Sequence, residues 1–123
     1  MNKKHLYIIL LILPFIVFSQ LEEKSLLEQL HEMVTEENKL LPLDGGEVVW
    51  EKVTLDGVVY TYHYIIKEKN HLKEIDELDF ITFYCSEPDV QWKRENNVPI
   101  CWQYFDLDGN IIRKIVVDRD QCD

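Results

Sequence analysis

Residues 100–122, ICWQYFDLDGNIIRKIVVDRDQC, carry the strongest fold signal in this 123-residue chain. In the first part, apolar and aromatic side chains alternate between two faces: Ile100, Trp102 and Tyr104 on one, and Cys101, Gln103 and Phe105 on the other. After Asp108-Gly109 the alternation resumes with Ile111, Ile115 and Val117. Such alternation is typical of β-strands, and Asp-Gly suits a tight turn because glycine readily adopts positive φ. The stretch therefore predicts a β-hairpin.

A second hairpin is predicted upstream. Residues 48–55 and 58–66 are rich in β-branched and aromatic side chains, and Asp56-Gly57 lies between them. One face of the second strand carries the row Val58, Tyr60, Tyr62, Tyr64 and Ile66. We expect this tyrosine face to lie under helices, because a phenol ring buries a large area while its hydroxyl can still reach the rim.

Apolar residues spaced by three and four predict an amphipathic helix over residues 22–37, ended by Asn38 and Pro42. Asp44-Gly45-Gly46 is expected to form a loop. Residues 67–73 form a charged connector.

A further helix is predicted over residues 74–84. Its inner side is expected to carry Ile75, Leu78 and Ile81, with Phe80 or Tyr84 as a further member, and Phe83 lies off that stripe. Ser86, followed by Pro88, predicts the capped start of a short helix. Helices and hairpins in this order indicate an α+β fold. We expect an antiparallel sheet of about four strands, built from the two hairpins, with two or three helices packed on it.

The N-terminus has the features of a signal peptide over residues 1–19. Lys3 and Lys4 precede an apolar run of about 13 residues, and Val17-Phe18-Ser19 offers a cleavage site. The run is short for a permanent membrane span, although an uncleaved anchor is the alternative. We expect a periplasmic or secreted protein whose residues 20–123 form a single domain.

The chain is acidic, with a formal net charge of −10 that becomes about −12 once Lys3 and Lys4 are removed. This charge repels phosphate backbones and anionic lipid, so we expect neither nucleic-acid binding nor membrane binding after signal cleavage. It suits a basic partner or a divalent cation, or simply provides solubility.

Three cysteines, Cys85, Cys101 and Cys122, remain in what would be an oxidising compartment, and three pairings are possible. Cys85 with Cys122 is favoured because Cys101 alternates within a strand, whereas the other two lie at the ends of elements. Cys101 is then expected to be a small buried apolar residue without a disulfide partner.

Candidates for catalysis or metal binding are weak. Residues 106–110 resemble part of a calcium loop, but residues 111–114 lack the further oxygen ligands, so a hairpin turn is favoured. His31, His63 and His71 lack metal-ligand spacing. Cys101 could lie near His63 across the sheet, but nothing in the sequence activates its thiol. We expect no cofactor, no metal and no enzyme activity.

An aromatic surface is the remaining candidate site. The residues that could line one sheet face are Tyr60, Tyr62, Tyr64, Trp102 and Tyr104, and Trp50 and Trp92 are two further large side chains. These rings could form the core beneath the helices. Where the helices leave them uncovered, they could instead form a binding groove.

Several short motifs also follow one another in a characteristic order over roughly residues 26–122. They are Asn38 with Leu41-Pro42, the tyrosines after Gly57, Cys85 with Pro88, Trp102-Gln103-Tyr104-Phe105-Asp106 before Gly109, and the closing Cys122. In this order they resemble the quorum-sensing-regulated virulence factor family of small exported proteins. The resemblance implies a helix-and-sheet sandwich, a Cys85–Cys122 disulfide and no established enzyme activity. The sequence departs from the pattern at Trp102, where tyrosine is expected, and at the extra Cys101.

These observations lead to one functional hypothesis and one alternative. The first is an exported, non-enzymatic interaction module, connected with virulence or the envelope, that binds a protein or peptide partner of basic character. The alternative is an envelope inhibitor or immunity protein, or a small enzyme of unknown substrate.

Overall fold

A computed structural model of the chain describes residues 24–68 and 75–122. The predicted signal peptide, His71 and most of the charged connector lie outside these residues. Among the helices of the described part, none is both long enough and apolar enough to cross a membrane.

Helix α1 spans Leu26–Asn38. It begins later than expected, because the hydroxyl of Ser25 accepts a hydrogen bond from the backbone N–H of Glu28 at 3.1 Å and caps the first turn. Its apolar stripe packs on the sheet, with Leu30 fully buried and Met33 beside it. The amphipathic character of the helix is therefore confirmed.

The strands are β1 (Leu43–Asp44), β2 (Val48–Asp56), β3 (Val59–Ile66), β4 (Ile100–Phe105) and β5 (Ile111–Val117). They form one five-stranded sheet in the order of the sequence. The β2–β3 and β4–β5 hairpins are confirmed. Gly57 and Gly109 have φ of 61° and 87° in the two turns, as those turns require.

Two features of the sheet differ from the prediction. β1 adds a fifth strand, pairing Leu43 and Asp44 with Trp50 and Val49, so that Asp44 does not belong to a loop. β3 and β4 pair in parallel, which makes the sheet mixed rather than antiparallel. The physical reason is the connection between the hairpins, which contains helices and is long enough to return the chain in the same direction.

Helix α2 spans Glu77–Ser86 and starts after Asp76, whose carboxylate accepts a hydrogen bond from the backbone N–H of Leu78 at 3.0 Å. The predicted start at residue 74 is therefore too early. Leu78 is 62% exposed, so its predicted place on the inner side is wrong. With the helix beginning at residue 77, the side that faces the sheet carries Phe80, Ile81 and Tyr84.

A 3₁₀ turn (Pro88–Val90) follows and leads into the short helix α3 (Gln91–Glu95). Ser86 does not cap this segment, contrary to the prediction. It is the last residue of α2, and its hydroxyl donates to the carbonyl of Thr82 at 2.6 Å. A serine near a helix end can bond back to the preceding turn, and that use competes with capping the next one.

A disulfide joins Cys85 at the end of α2 to Cys122 after β5, and Cys101 is a buried free cysteine. Helix α1 lies against β2, and α2 lies against β5. Tyr84 of α2 is buried in the core, and its hydroxyl donates to the carbonyl of Val98 at 2.8 Å. Both helices therefore pack on the tyrosine face of the sheet, α1 next to β2 and α2 next to β5.

An aromatic groove between two helices

Parallel pairing of β3 and β4 places the predicted aromatic residues side by side. Tyr62 is opposite Trp102 and Tyr64 is opposite Tyr104 in the strand register. Their rings stack, with centroids 6.2 Å apart in the first pair and 5.1 Å apart in the second. With Tyr60 at the end of the row, the centre of the sheet is a continuous aromatic floor.

The floor is covered unevenly. Tyr60 is fully buried, packed with Leu30 of α1 and Val98. Trp102 and Tyr104 are also buried, with Phe80 of α2 packed on Trp102 at a centroid distance of 5.0 Å. Tyr62 and Tyr64, which lie between α1 and α2, are only half-buried. Much of the predicted binding face therefore belongs to the core, and its middle remains partly open.

The open part forms a groove of two adjoining hollows that share Tyr64, Phe80 and Trp102. The first, of about 330 Å³, is completed by Asp79 and Phe83. The second, of about 320 Å³, is completed by Glu47, Val48, Ile66, Ile75 and Tyr104. We call the first hollow the α2 pocket and the two together the aromatic groove. The groove is lined mainly by aromatic and aliphatic side chains, as ligand and peptide sites commonly are.

A separate hollow of about 560 Å³ lies along α1 and α3. Its lining residues are Gln29, Glu32, Met33, Glu36, Glu37 and Trp92. Three of these six residues are glutamates, so this surface attracts cations. Trp92 contributes here rather than to the aromatic floor.

The phenols of the groove stay neutral at physiological pH. Burial raises the pKa of the Tyr62 and Tyr64 hydroxyls, and the nearby Glu37 carboxylate raises the pKa of both further. Burial also raises the pKa of Tyr104 to about 12. The hydroxyls of Tyr64 and Tyr104, which line the groove, can consequently act as neutral hydrogen-bond donors and acceptors.

Lys93 of α3 packs on the aromatic floor at Tyr60. It is 5% exposed, and its ammonium lies 4.4 Å from the centroid of the Tyr60 ring. Burial lowers the pKa of Lys93, and the Glu37 carboxylate partly offsets this effect. No sequence pattern predicted the burial of Lys93, because a lysine on a short helix is usually exposed.

The sequence also did not identify Asp79, Phe80 and Phe83 together as lining residues. Phe83 is 45% exposed, and its ring meets Trp102 edge-on at 6.2 Å. Its place off the apolar stripe of α2 was the available clue, because an apolar ring that misses the core must lie against something else or face solvent.

The thiol and the imidazole on the opposite sheet face do not form a catalytic pair. Cys101 is 1% exposed, and burial raises the pKa of its thiol. Nε2 of His63 lies 2.6 Å from the Thr54 hydroxyl, and its ring stacks on Phe105. Burial lowers the pKa of His63. The two side chains share a face, but the imidazole is engaged with Thr54 and the thiol is held in its protonated form.

The turn that resembled a calcium loop is stabilised by the side chain of Asp106. One carboxylate oxygen of Asp106 accepts hydrogen bonds from the N–H groups of Asp108 and Asn110, each at 2.9 Å. Within residues 24–68 and 75–122, no three histidine, cysteine or acidic side chains come together in a way that could hold a metal ion.

Comparison with known proteins identifies the fold and no sequence family. No protein-family model matches this sequence, and no curated protein matches it in sequence. The fold is similar to the crystal structure of a candidate secreted protein from Pseudomonas aeruginosa, with a TM-score of 0.68 and 10% identity over 78% of this chain and 91% of that one.

Two pilotins of type II secretion systems also share the fold. The similarity to AspS from Vibrio cholerae has a TM-score of 0.59 and 13% identity, and covers 76% of this chain and 89% of the pilotin. For EpsS from Vibrio vulnificus the TM-score is 0.55 and the identity 13%, over 77% of this chain and 93% of the pilotin. At these identities the likeness establishes the α+β fold and its arrangement of helices on one sheet.

Proposed function

We propose that this chain is an exported, non-enzymatic interaction module that binds a peptide segment of a protein partner in the aromatic groove. The observation that carries the proposal is the partly open aromatic floor between α1 and α2. Rigid rings with polar tips give large contact area at low entropic cost, which is why they are common in binding surfaces. The partner is a segment with apolar side chains and positive charge.

The negative charge of this chain supports a basic partner. The domain without its signal peptide carries about −12, and carboxylates line both concave surfaces near α1 and α2. Complementary charge accelerates encounter and favours basic partners over acidic ones. The hollow along α1 and α3 adds Glu32, Glu36 and Glu37 to the same attraction.

Export and an envelope or virulence role rest on other observations. The predicted signal peptide supports export to the periplasm or beyond. The fold shared with a candidate secreted protein and with secretion-system pilotins agrees with it. The resemblance to the quorum-sensing-regulated family supports the connection with virulence. Fractionation of cells that express the full chain would test export, with the protein expected outside the cytoplasm and lacking residues 1–19.

The binding proposal is tested by capture from the envelope fraction with matched variants. Tyr64→Ala removes an aromatic ring from the floor of the groove. Val116→Ala truncates a 41% exposed side chain of β5 outside the groove. The wild type and Val116→Ala are expected to retain the same protein, and Tyr64→Ala to lose it. Equal capture by all three, or none by the wild type at physiological salt, would contradict the proposal. If Tyr64→Ala does not fold, Val48→Ala replaces it, because that half-buried side chain lines the groove outside the α2 pocket.

A further inference from the structure

The α2 pocket has the composition of a cation site. Four of its five lining residues are aromatic, and the fifth is a carboxylate: Tyr64, Phe80, Phe83 and Trp102 with Asp79. Aromatic rings attract cations through the negative charge of their faces, and a nearby carboxylate adds to that attraction.

The rings are arranged around an opening rather than stacked into a closed core. Phe80 meets Trp102 at an interplanar angle of 58°, and Phe83 meets it at 77°. Both phenylalanines belong to α2, separated by almost one helical turn, and Trp102 lies below them on β4. The exposed Phe83 forms the outer wall. A planar group that enters past Phe83 can therefore stack on one ring while meeting another.

No cation of the described chain fills this pocket. Asp79 is its only charged lining residue among residues 24–68 and 75–122. Arg113 lies near Tyr104, but it donates from Nη1 to the carbonyl of Ile75 at 2.8 Å. Lys93 lies over Tyr60, which does not line the pocket. Within residues 24–68 and 75–122, no side chain supplies the positive charge that the pocket favours.

We propose that the α2 pocket binds an arginine side chain of the partner, with its guanidinium stacked among the rings of Phe80, Phe83 and Trp102 and facing the carboxylate of Asp79. Arginine fits better than lysine because its planar, weakly hydrated head group can stack on a ring and donate two hydrogen bonds to one carboxylate. This inference rests on the proposed function and names the anchor residue of the partner segment.

The test is a titration of the ¹⁵N-labelled mature domain with the tripeptide acetyl-Leu-Arg-Leu-amide, followed by two-dimensional NMR. Its matched control contains citrulline, which keeps the shape of arginine and lacks the charge. The arginine peptide is expected to shift the amide and indole signals around Asp79, Phe83 and Trp102 at millimolar concentration. The citrulline peptide should bind about tenfold more weakly. Equal binding of the two, or shifts confined to other residues, would overturn the inference.

Substitutions inside and outside the α2 pocket test whether the arginine peptide binds there. Asp79→Asn and Phe83→Ala are each expected to weaken binding of the arginine peptide by about two- to fivefold. Their controls are exposed positions of α2 outside the pocket: Glu77→Gln removes a charge and Leu78→Ala removes an apolar side chain. Both controls should bind as the wild type does. Tetramethylammonium serves as a second probe, and saturation of the same signals by it at lower concentration than by the arginine peptide would assign the pocket to a small quaternary amine instead.

A failure of the arginine proposal can be distinguished from a failure of the proposed function. If Tyr64→Ala abolishes capture of the envelope partner while Asp79→Asn and Phe83→Ala leave both capture and peptide binding unchanged, the groove binds a partner without an arginine anchor. If Tyr64→Ala leaves capture unchanged, the proposed function itself fails.

Discussion

Asn38 and Val53 are joined by two hydrogen bonds between a side chain and a strand edge. The Asn38 carboxamide donates from Nδ2 to the carbonyl of Val53 and accepts from its N–H at Oδ1, both at 2.8 Å. β1 covers the outer edge of β2 only at Val49 and Trp50. The last residue of α1 therefore occupies the place of a strand residue, and it blunts an edge that could otherwise pair with another chain.

Replacing Asn38 by alanine should remove both bonds and leave two backbone groups of the buried Val53 without partners. We expect the free energy of unfolding to fall by about 2–3 kcal/mol. Urea denaturation followed by circular dichroism measures this. Leu40→Ala, which truncates a 71% exposed side chain just after the helix, is the control and should change stability little. A loss as small for Asn38→Ala as for the control would show that water replaces the carboxamide at no cost.

The Cys85–Cys122 disulfide closes a separation of 37 residues. Removing it by the double substitution Cys85→Ala and Cys122→Ala should lower stability by about 3–4 kcal/mol, because the unfolded chain regains the entropy that the bond removes. The comparison is urea unfolding of the wild type and the double variant without reductant. A reducing agent should weaken the wild type and leave the variant unchanged, and a variant as stable as the oxidised wild type would contradict the expectation.

Cys101 should resist modification in the folded protein. Its thiol is buried in the sheet, and burial raises its pKa, so little thiolate is present or accessible. Labelling by a disulfide-exchange reagent near pH 8 is expected to be on the order of a hundredfold slower in buffer than in concentrated urea. Rapid labelling of one thiol in buffer would mean that this strand opens easily or that Cys101 takes part in a different pairing.

The pH dependence of stability should carry a contribution from His63. Burial lowers its pKa in the folded state, so the unfolded chain binds the proton more readily. Stability from this group is complete above its ordinary pKa of about 6.5 and is lost as the pH falls through that value towards the folded pKa. His63→Gln should flatten this part of the profile relative to the wild type. Parallel profiles for the wild type and His63→Gln would contradict the assignment.

The elements that the sequence predicted well are those with strong local signals. Asp56-Gly57 and Asp108-Gly109 marked both turns, and alternation on either side marked the strands they join. The amphipathic spacing of α1 predicted its buried stripe, since that stripe depends on residues within the helix itself.

The elements that were missed depend on contacts between distant residues. β1 is only two residues long and has no periodicity to detect. A register shift between Trp50 and Lys52 turns Val53 inward, and alternation alone does not predict such a bulge. The parallel pairing of β3 with β4 follows from how the intervening helices return the chain. Because that pairing brings Tyr62 next to Trp102, the groove could be suspected from the sequence but not located.

The covalent link is confined to the second half of the chain, since Cys85 and Cys122 both follow β3. Among the described residues, the β3–β4 ladder and side-chain packing hold the segment from α1 to β3 to that half, and the disulfide does not reach it. This segment can therefore unfold while the disulfide stays intact. In native-state hydrogen exchange, amides of α1 and β2 should open at lower free energy than those of β4. The β3 and β4 parts of the aromatic floor would then separate before the disulfide-linked half unfolds.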